Sequence, residues 1–324
     1  MNRLTIIGFL LGVFFSAATW AYSSTSTYPE VTSGKAVIFP DDHGSHDAFR
    51  TEWWYFTGWL ETPDGDPLGF QITFFRSRPE IEMGNPSKFA PEQIIFAHAA
   101  LSDPKTGKLV HDQKIGRMGF DIVEASQKDA DIKLLDWQLT RTGEGVFTSK
   151  VAGNDFKLDL QMEPTQAPML NGDKGYSRKG PKSSQASYYY SVPQLQVSGS
   201  VVRGGKKITV TGRAWLDREW SSDVLPENAV GWDWTGINFD DGSALMAFQV
   251  RDADGKAVYA GGSFRAVDGM QTVLSPEDVR FTPKRIWTSP KTGAEYPVEA
   301  EFAVRMEGKF KRYHLKPIFD AQEL

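Results

Sequence analysis

The chain has 324 residues, a formal net charge of −5 and no cysteine. That charge argues against nucleic acid as a partner, because phosphate binding needs a basic face. Without thiols there is no disulfide, no cysteine nucleophile and no cysteine-ligated metal, so stability must come from a buried core, to which 13% aromatic residues contribute.

In chain order, Met1-Asn2-Arg3, an apolar run from Leu4 to Ala18 and Thr19-Trp20-Ala21 predict a cleavable signal peptide over residues 1–21. The run is shorter than the roughly 20 residues that span a bilayer. The expected product is periplasmic or secreted, with no stable membrane insertion after cleavage. The remainder is long enough for two domains of ordinary size.

Asp41-Asp42-His43-Gly44-Ser45-His46-Asp47 follows, rich in titratable and metal-capable groups. A pre-strand loop containing Gly44 offers His43 and His46 no fixed scaffold, so its expected role is to cap a barrel mouth through hydrogen bonds. No metal and no cofactor is expected. Arg50-Thr51-Glu52-Trp53-Trp54-Tyr55-Phe56-Thr57-Gly58-Trp59-Leu60 is read as a strand. Alternation puts Trp53, Tyr55, Thr57 and Trp59 on one face and Glu52, Trp54, Phe56 and Leu60 on the other. Both faces are aromatic, which predicts a barrel wall covered by a second layer.

Leu68 to Phe75, Gln93 to Leu101 and Lys207 to Leu216 also read as strands, separated by turn pairs such as Asp64-Gly65, Asp103-Pro104 and Asp241-Gly242. His98 lies within the second of these. No long amphipathic helix is found, so the class is all-β and antiparallel. Residues 164–185, rich in Gly, Pro, Ser and Lys, read as a linker or a binding loop. The expected domains are 22–185, with this loop at its end, and 186–324. Trp232-Asp233-Trp234-Thr235-Gly236-Ile237 matches Trp54 to Trp59 at an offset of 178, and Phe248-Gln249-Val250 matches Phe70-Gln71-Ile72. A strand–turn–strand match at one offset predicts a duplicated unit.

Four ordered motifs resemble the AttH/CrtC-like family, also described as lipocalin-like: Asp42-His43-Gly44 through Tyr55, Ala186 to Ser191, Trp215 to Ser222, and Gly231-Trp232-Asp233-Trp234. The resemblance implies two tandem lipocalin-like antiparallel β-barrel domains of the calycin type. Members include carotenoid 1,2-hydratases and fungal enzymes that cyclise polyene chains. Many bacterial members are encoded beside ABC-transporter components, which implies a transporter component as a partner. The chain departs from the hydratases at Asp217-Arg218-Glu219-Trp220, where they carry Asp-His-x-Trp. Relatives also continue past Leu324, so the second barrel is expected to be incomplete.

The function expected first is binding of an apolar small molecule (an isoprenoid, polyene or lipid). Trp54, Tyr55, His98, Tyr189, Trp220, Trp232, Asp233 and Trp234 are the expected ligand-binding residues. The alternative is an enzyme of the hydratase, isomerase, cyclase or hydrolase type acting on such a ligand. Glu52, Asp217 or Glu219 would be its acid or base and Arg218 would orient it. No Gly-x-Ser-x-Gly, His-Glu-x-x-His or nucleotide-binding motif is present. The discriminating feature is a carboxylate that reaches a cavity of ligand size. A third reading, an accessory protein of a transporter, calls for an exposed apolar patch away from the barrel mouths.

Overall fold

Segments such as Phe156–Glu163 alternate buried and exposed side chains residue by residue, and the computed structural model, which describes residues 28–80, 87 and 89–324, is built mainly of strands. The signal peptide expected over residues 1–21 lies outside the described residues. The strands are β1 (Thr51–Glu61), β2 (Pro67–Ser77), β3 (Ile94–Asp103), β4 (Lys108–Arg117), β5 (Val123–Ala125), β6 (Asp131–Leu134) and β7 (Trp137–Arg141). They continue with β8 (Phe147–Ala152), β9 (Phe156–Glu163), β10 (Met169–Leu170), β11 (Tyr176–Arg178), β12 (Ala186–Arg203) and β13 (Lys206–Asp223). Last come β14 (Gly231–Asn238), β15 (Ala244–Arg251), β16 (Ala257–Arg265), β17 (Gln271–Leu274), β18 (Val279–Thr288), β19 (Glu295–Met306) and β20 (Lys309–Leu315).

The first thirteen strands make one antiparallel sheet in the order β4-β3-β2-β1-β13-β12-β9-β8-β7-β6-β5, with β10 and β11 on the first half of β12. The sheet curls into a nearly closed barrel. Its two ends meet where Val123 bridges to Gly119 and where the Val123 and Leu134 side chains crowd Gly116. The interior is filled by the protein's own side chains, among them Trp54, Phe56, Trp137, Phe147 and Trp220. Beyond Asp223 the chain forms a four-stranded sheet, β14-β15-β16-β17, and a three-stranded sheet, β18-β19-β20. These share a core containing Leu245, Ala247, Phe302 and Val304.

Two expectations change. The change of sheet comes after Asp223, not at residue 185, because β12 and β13 pair with β9 and β1 and so complete the first barrel. The stretch 164–185 is not an exposed linker: β10 and β11 pair with β12, and Asn171, Lys179 and Gln185 are buried. The internal match does correspond to a repeated hairpin, β1–β2 and β14–β15, though its register moves by two residues. Phe70 pairs with Gly58, whereas Phe248 pairs with Trp234. A slip of two preserves which face each side chain occupies.

The two glycines of the repeat serve different contacts. A Cβ on Gly58 would lie 2.3 Å from the Arg213 carbonyl oxygen, and one on Gly236 would lie 2.8 Å from both the Trp215 and Trp234 rings. Gly58→Ala must therefore push β1 away from β13. A loss of about 1–3 kcal/mol is expected from this overpacking, read as a lower urea midpoint. An unchanged midpoint would show that the strand pair can relax without cost.

Candidate functional site

Because β1, β2, β12 and β13 wall a barrel, each sends alternate residues inward and outward. The outward residues fall into two transverse rows. Ser191, Asp217, Tyr55, Thr73 and His98 are successive partners across β12, β13, β1, β2 and β3. Tyr189, Glu219, Trp53, Phe75 and Phe96 form the next row. The β14–β15 hairpin lies over these rows and brings Trp232, Trp234, Phe248 and Val250 to face them. Between the two units remains a cleft of about 500 Å³. The ligand-sized space is thus outside the barrel, not at its mouth.

Aromatic contacts close the cleft. The Tyr55 and Trp234 rings meet edge to face at 5.6 Å, and the Trp234 indole Nε1 donates to the Tyr189 hydroxyl at 3.1 Å. Lys179 enters from the strap before β12. Its Nζ lies 4.3 Å and 4.5 Å from the Tyr189 and Phe248 ring centres and 2.9 Å from a Glu219 carboxylate oxygen. The Ser187 hydroxyl donates to the same carboxylate. Glu219 and Lys179 therefore form a hydrogen-bonded, buried ion pair in one wall.

Asp217 differs. It is 3% exposed and, among the described residues, forms no ion pair. The Ser191 hydroxyl and the Trp215 indole Nε1 each donate to its Oδ1 at 2.6 Å. Burial in this apolar wall pushes its pKa up to about 7, more than the hydrogen bonds from Ser191, Trp215 and Tyr189 pull it down. The neighbouring Tyr189 hydroxyl is raised well above its ordinary value by burial and by Asp217 and Glu219. A carboxyl that gains and loses its proton near neutral pH, on the wall of an aromatic cavity, is equipped for acid and base work.

Alternation divides the residues from Asp217 to Trp220, three of them expected to be catalytic and Trp220 to bind ligand. Asp217 and Glu219 face the cleft, while Arg218 and Trp220 point into the barrel. There Glu52 pairs with both Arg76 and Arg218, accepts from the His46 backbone N–H at 2.9 Å and is fully buried. Arg218 stacks over Trp54 at 4.0 Å and Trp220 lies flat on His46 at 3.9 Å. Glu52 and Arg218 do not reach the cleft, and neither do Trp54 and Trp220. Both ring nitrogens of His46 are engaged, by Asp42 and Glu52, and His43 Nδ1 is 2.6 Å from the Tyr190 hydroxyl. Among the described residues no group of three His, Cys, Asp or Glu could hold a metal.

Of the expected ligand-binding residues, Tyr55, Tyr189, Trp232 and Trp234 line the cleft. Asp233 faces away and pairs with Arg251 at 2.8 Å. His98 sits one strand beyond, against the Phe75 and Phe96 rings. Lys179, Trp53, Phe75, Phe248 and the two serines at 187 and 191 were not foreseen. The serines could have been, since both share the parity of Tyr189 on one strand.

The AttH-like family model matches residues 30–324. The chain belongs to the AttH-like family. A crystal structure of an AttH-like protein from Nitrosomonas europaea is 49% identical, with a TM-score of 0.84 over 91% of this chain and 89% of that one. The crystal structure of kievitone hydratase from Nectria haematococca is 15% identical, with a TM-score of 0.66 over 92% of this chain and 85% of that one, and shows a shared fold. No curated protein matches the chain. In this AttH-like protein a carboxyl of raised pKa thus faces an aromatic cleft between the two units.

Proposed function

We propose that the cleft takes an apolar, unsaturated small molecule and that Asp217 transfers a proton to and from it. The observation that carries this reading is a carboxyl with no cationic partner among the described residues, raised to about 7, on the wall of an aromatic cavity of about 500 Å³. Protonated Asp217 would add its proton to one alkene carbon and leave a cation on the other. The faces of Trp53, Tyr55 and Trp234 would stabilise that cation. The carboxylate then recovers a proton, either from a neighbouring carbon, giving an isomer, or from an adding water, giving a hydrated product. Position 218 faces the barrel interior, so the arginine there leaves the cleft acid in place. A protein that shares the fold is named a hydratase, but the assignment rests on Asp217.

The test is proton exchange. Retinol, geraniol and a short polyene acid would be incubated with the protein in heavy water and examined by mass spectrometry for deuterium on carbon. Deuterium incorporated by the wild type and not by Asp217→Asn, with quenching of cleft tryptophans by the same compound in both, is expected. Equal incorporation by the variant would remove Asp217 from the chemistry. Quenching without incorporation in either would leave a carrier.

A further inference from the structure

The outer face of the barrel holds a second concavity, of about 520 Å³, at the far end of β1. It shares no lining residue with the cleft. Trp59, Arg213, Gln196 and Glu163 are successive partners across β1, β13, β12 and β9, so they stand in one row. Glu61 and Gln161 belong to the adjacent row, one pleat repeat along the strands. All six are exposed, and the Trp59 indole, 49% exposed, forms one end of the groove.

The chemistry of this row is specific. A guanidinium only donates, a carboxylate only accepts and an amide does both, so Arg213, Gln196 and Glu163 offer every hydrogen-bonding role in sequence. The guanidinium is also held in place: Arg213 Nη1 donates to Gln194 Oε1 at 3.1 Å, and Gln194 is buried and anchored on the Phe239 and Ser243 carbonyls. Glu61 and Glu163 repel phosphate, and the polar walls do not suit a hydrocarbon. What fits is a molecule with flat C–H faces and many hydroxyls, each both donor and acceptor. Three strand spacings of about 4.8 Å give the row a length of roughly 14 Å, which suits several linked rings better than one.

We propose that this groove binds a short oligosaccharide, with Trp59 stacked on one sugar ring and Arg213, Gln196 and Glu163 bonded to successive hydroxyls. The site is independent of Asp217 and of whatever the cleft turns over.

Cellohexaose, laminarihexaose, chitohexaose and maltohexaose would be titrated into the full chain, followed by calorimetry and tryptophan fluorescence. Saturable binding of one of the four is expected, with Trp59→Ala and Glu163→Ala each weakening it about tenfold or more. Glu163 is a surface residue, so its variant tests the groove even if the tryptophan change disturbs folding. Asp217→Asn should bind the sugar as the wild type does. The proposal is overturned if none of the four binds, if Glu163→Ala binds as tightly as the wild type, or if Asp217→Asn abolishes binding.

Discussion

Asp217→Asn is expected to make the protein more stable than the wild type above pH 7 while removing proton transfer in the cleft. The folded-state pKa of Asp217 is about 7 against an ordinary value of 3.8. Between these values the native protein keeps a proton that the unfolded chain has lost, so stability falls as pH rises through this window and is flat outside it. Three pKa units correspond to roughly 4 kcal/mol. Asparagine has the same shape, and its Oδ1 can accept from Ser191 and Trp215 as the aspartate does. The variant avoids the charge and so avoids the window. Groups that do not interact with Asp217 cancel in the difference between the two proteins. Urea midpoints at pH 5, 6, 7 and 8.5 should therefore diverge with rising pH, with the variant ahead by a few kcal/mol at pH 8.5. Parallel curves would mean that Asp217 titrates as an ordinary carboxyl, and the acid–base reading would lose its basis. The stability forgone by keeping an ionisable group here is what an active-site origin leads one to expect.

Alternation along β1 was legible from sequence and held residue by residue: Trp54 and Phe56 went inward, Trp53 and Tyr55 outward. The same rule splits residues 217–220 into two pairs. Which pair meets a cavity is not local information, because it depends on where the β14–β15 hairpin lands. A barrel mouth is a standard place for an apolar ligand, yet Trp137, Phe147 and the Glu52 cluster fill the interior behind it. The aromatic cleft arises where the second unit covers the first. Lys179 was hidden for a related reason. Its surroundings have the composition of a linker, and it becomes a cleft residue through the pairing of β11 with β12, from Tyr176–Tyr188 to Arg178–Ala186. The boundary at residue 185 failed on long-range pairing: β12 returns to β9 and carries the chain back into the first barrel.

Glu52→Gln is the substitution expected to destabilise the fold most. Glu52 is the shared counterion of Arg76 and Arg218, and all three side chains are fully buried. Neutralising it leaves two guanidinium groups inside the barrel without their carboxylate, a change of the kind that costs about 3–5 kcal/mol. The Asp42–His46 loop would loosen too, since His46 binds Glu52 through its backbone N–H and its ring. The sign of the pH dependence is opposite to that of Asp217. Burial alone would raise the Glu52 pKa, but Arg218, His46 and Arg76 together outweigh it and hold the carboxyl far below the usual range. Its contribution is therefore complete above the ordinary glutamate value of 4.5 and is lost as pH falls below that. The gap between wild type and Glu52→Gln should be constant from pH 6 to 8 and should shrink below about pH 4.5. Urea midpoints across that range check both statements. The triple variant Glu52→Leu, Arg76→Met, Arg218→Met removes every charge of the trio and should recover much of the loss, because a buried ion cluster often holds a fold no more tightly than apolar side chains of similar volume. If Glu52→Gln lost stability and the triple variant lost as much again, the cluster would be a net source of stability, with the hydrogen bonds to His46 and Gly44 holding the loop on the barrel.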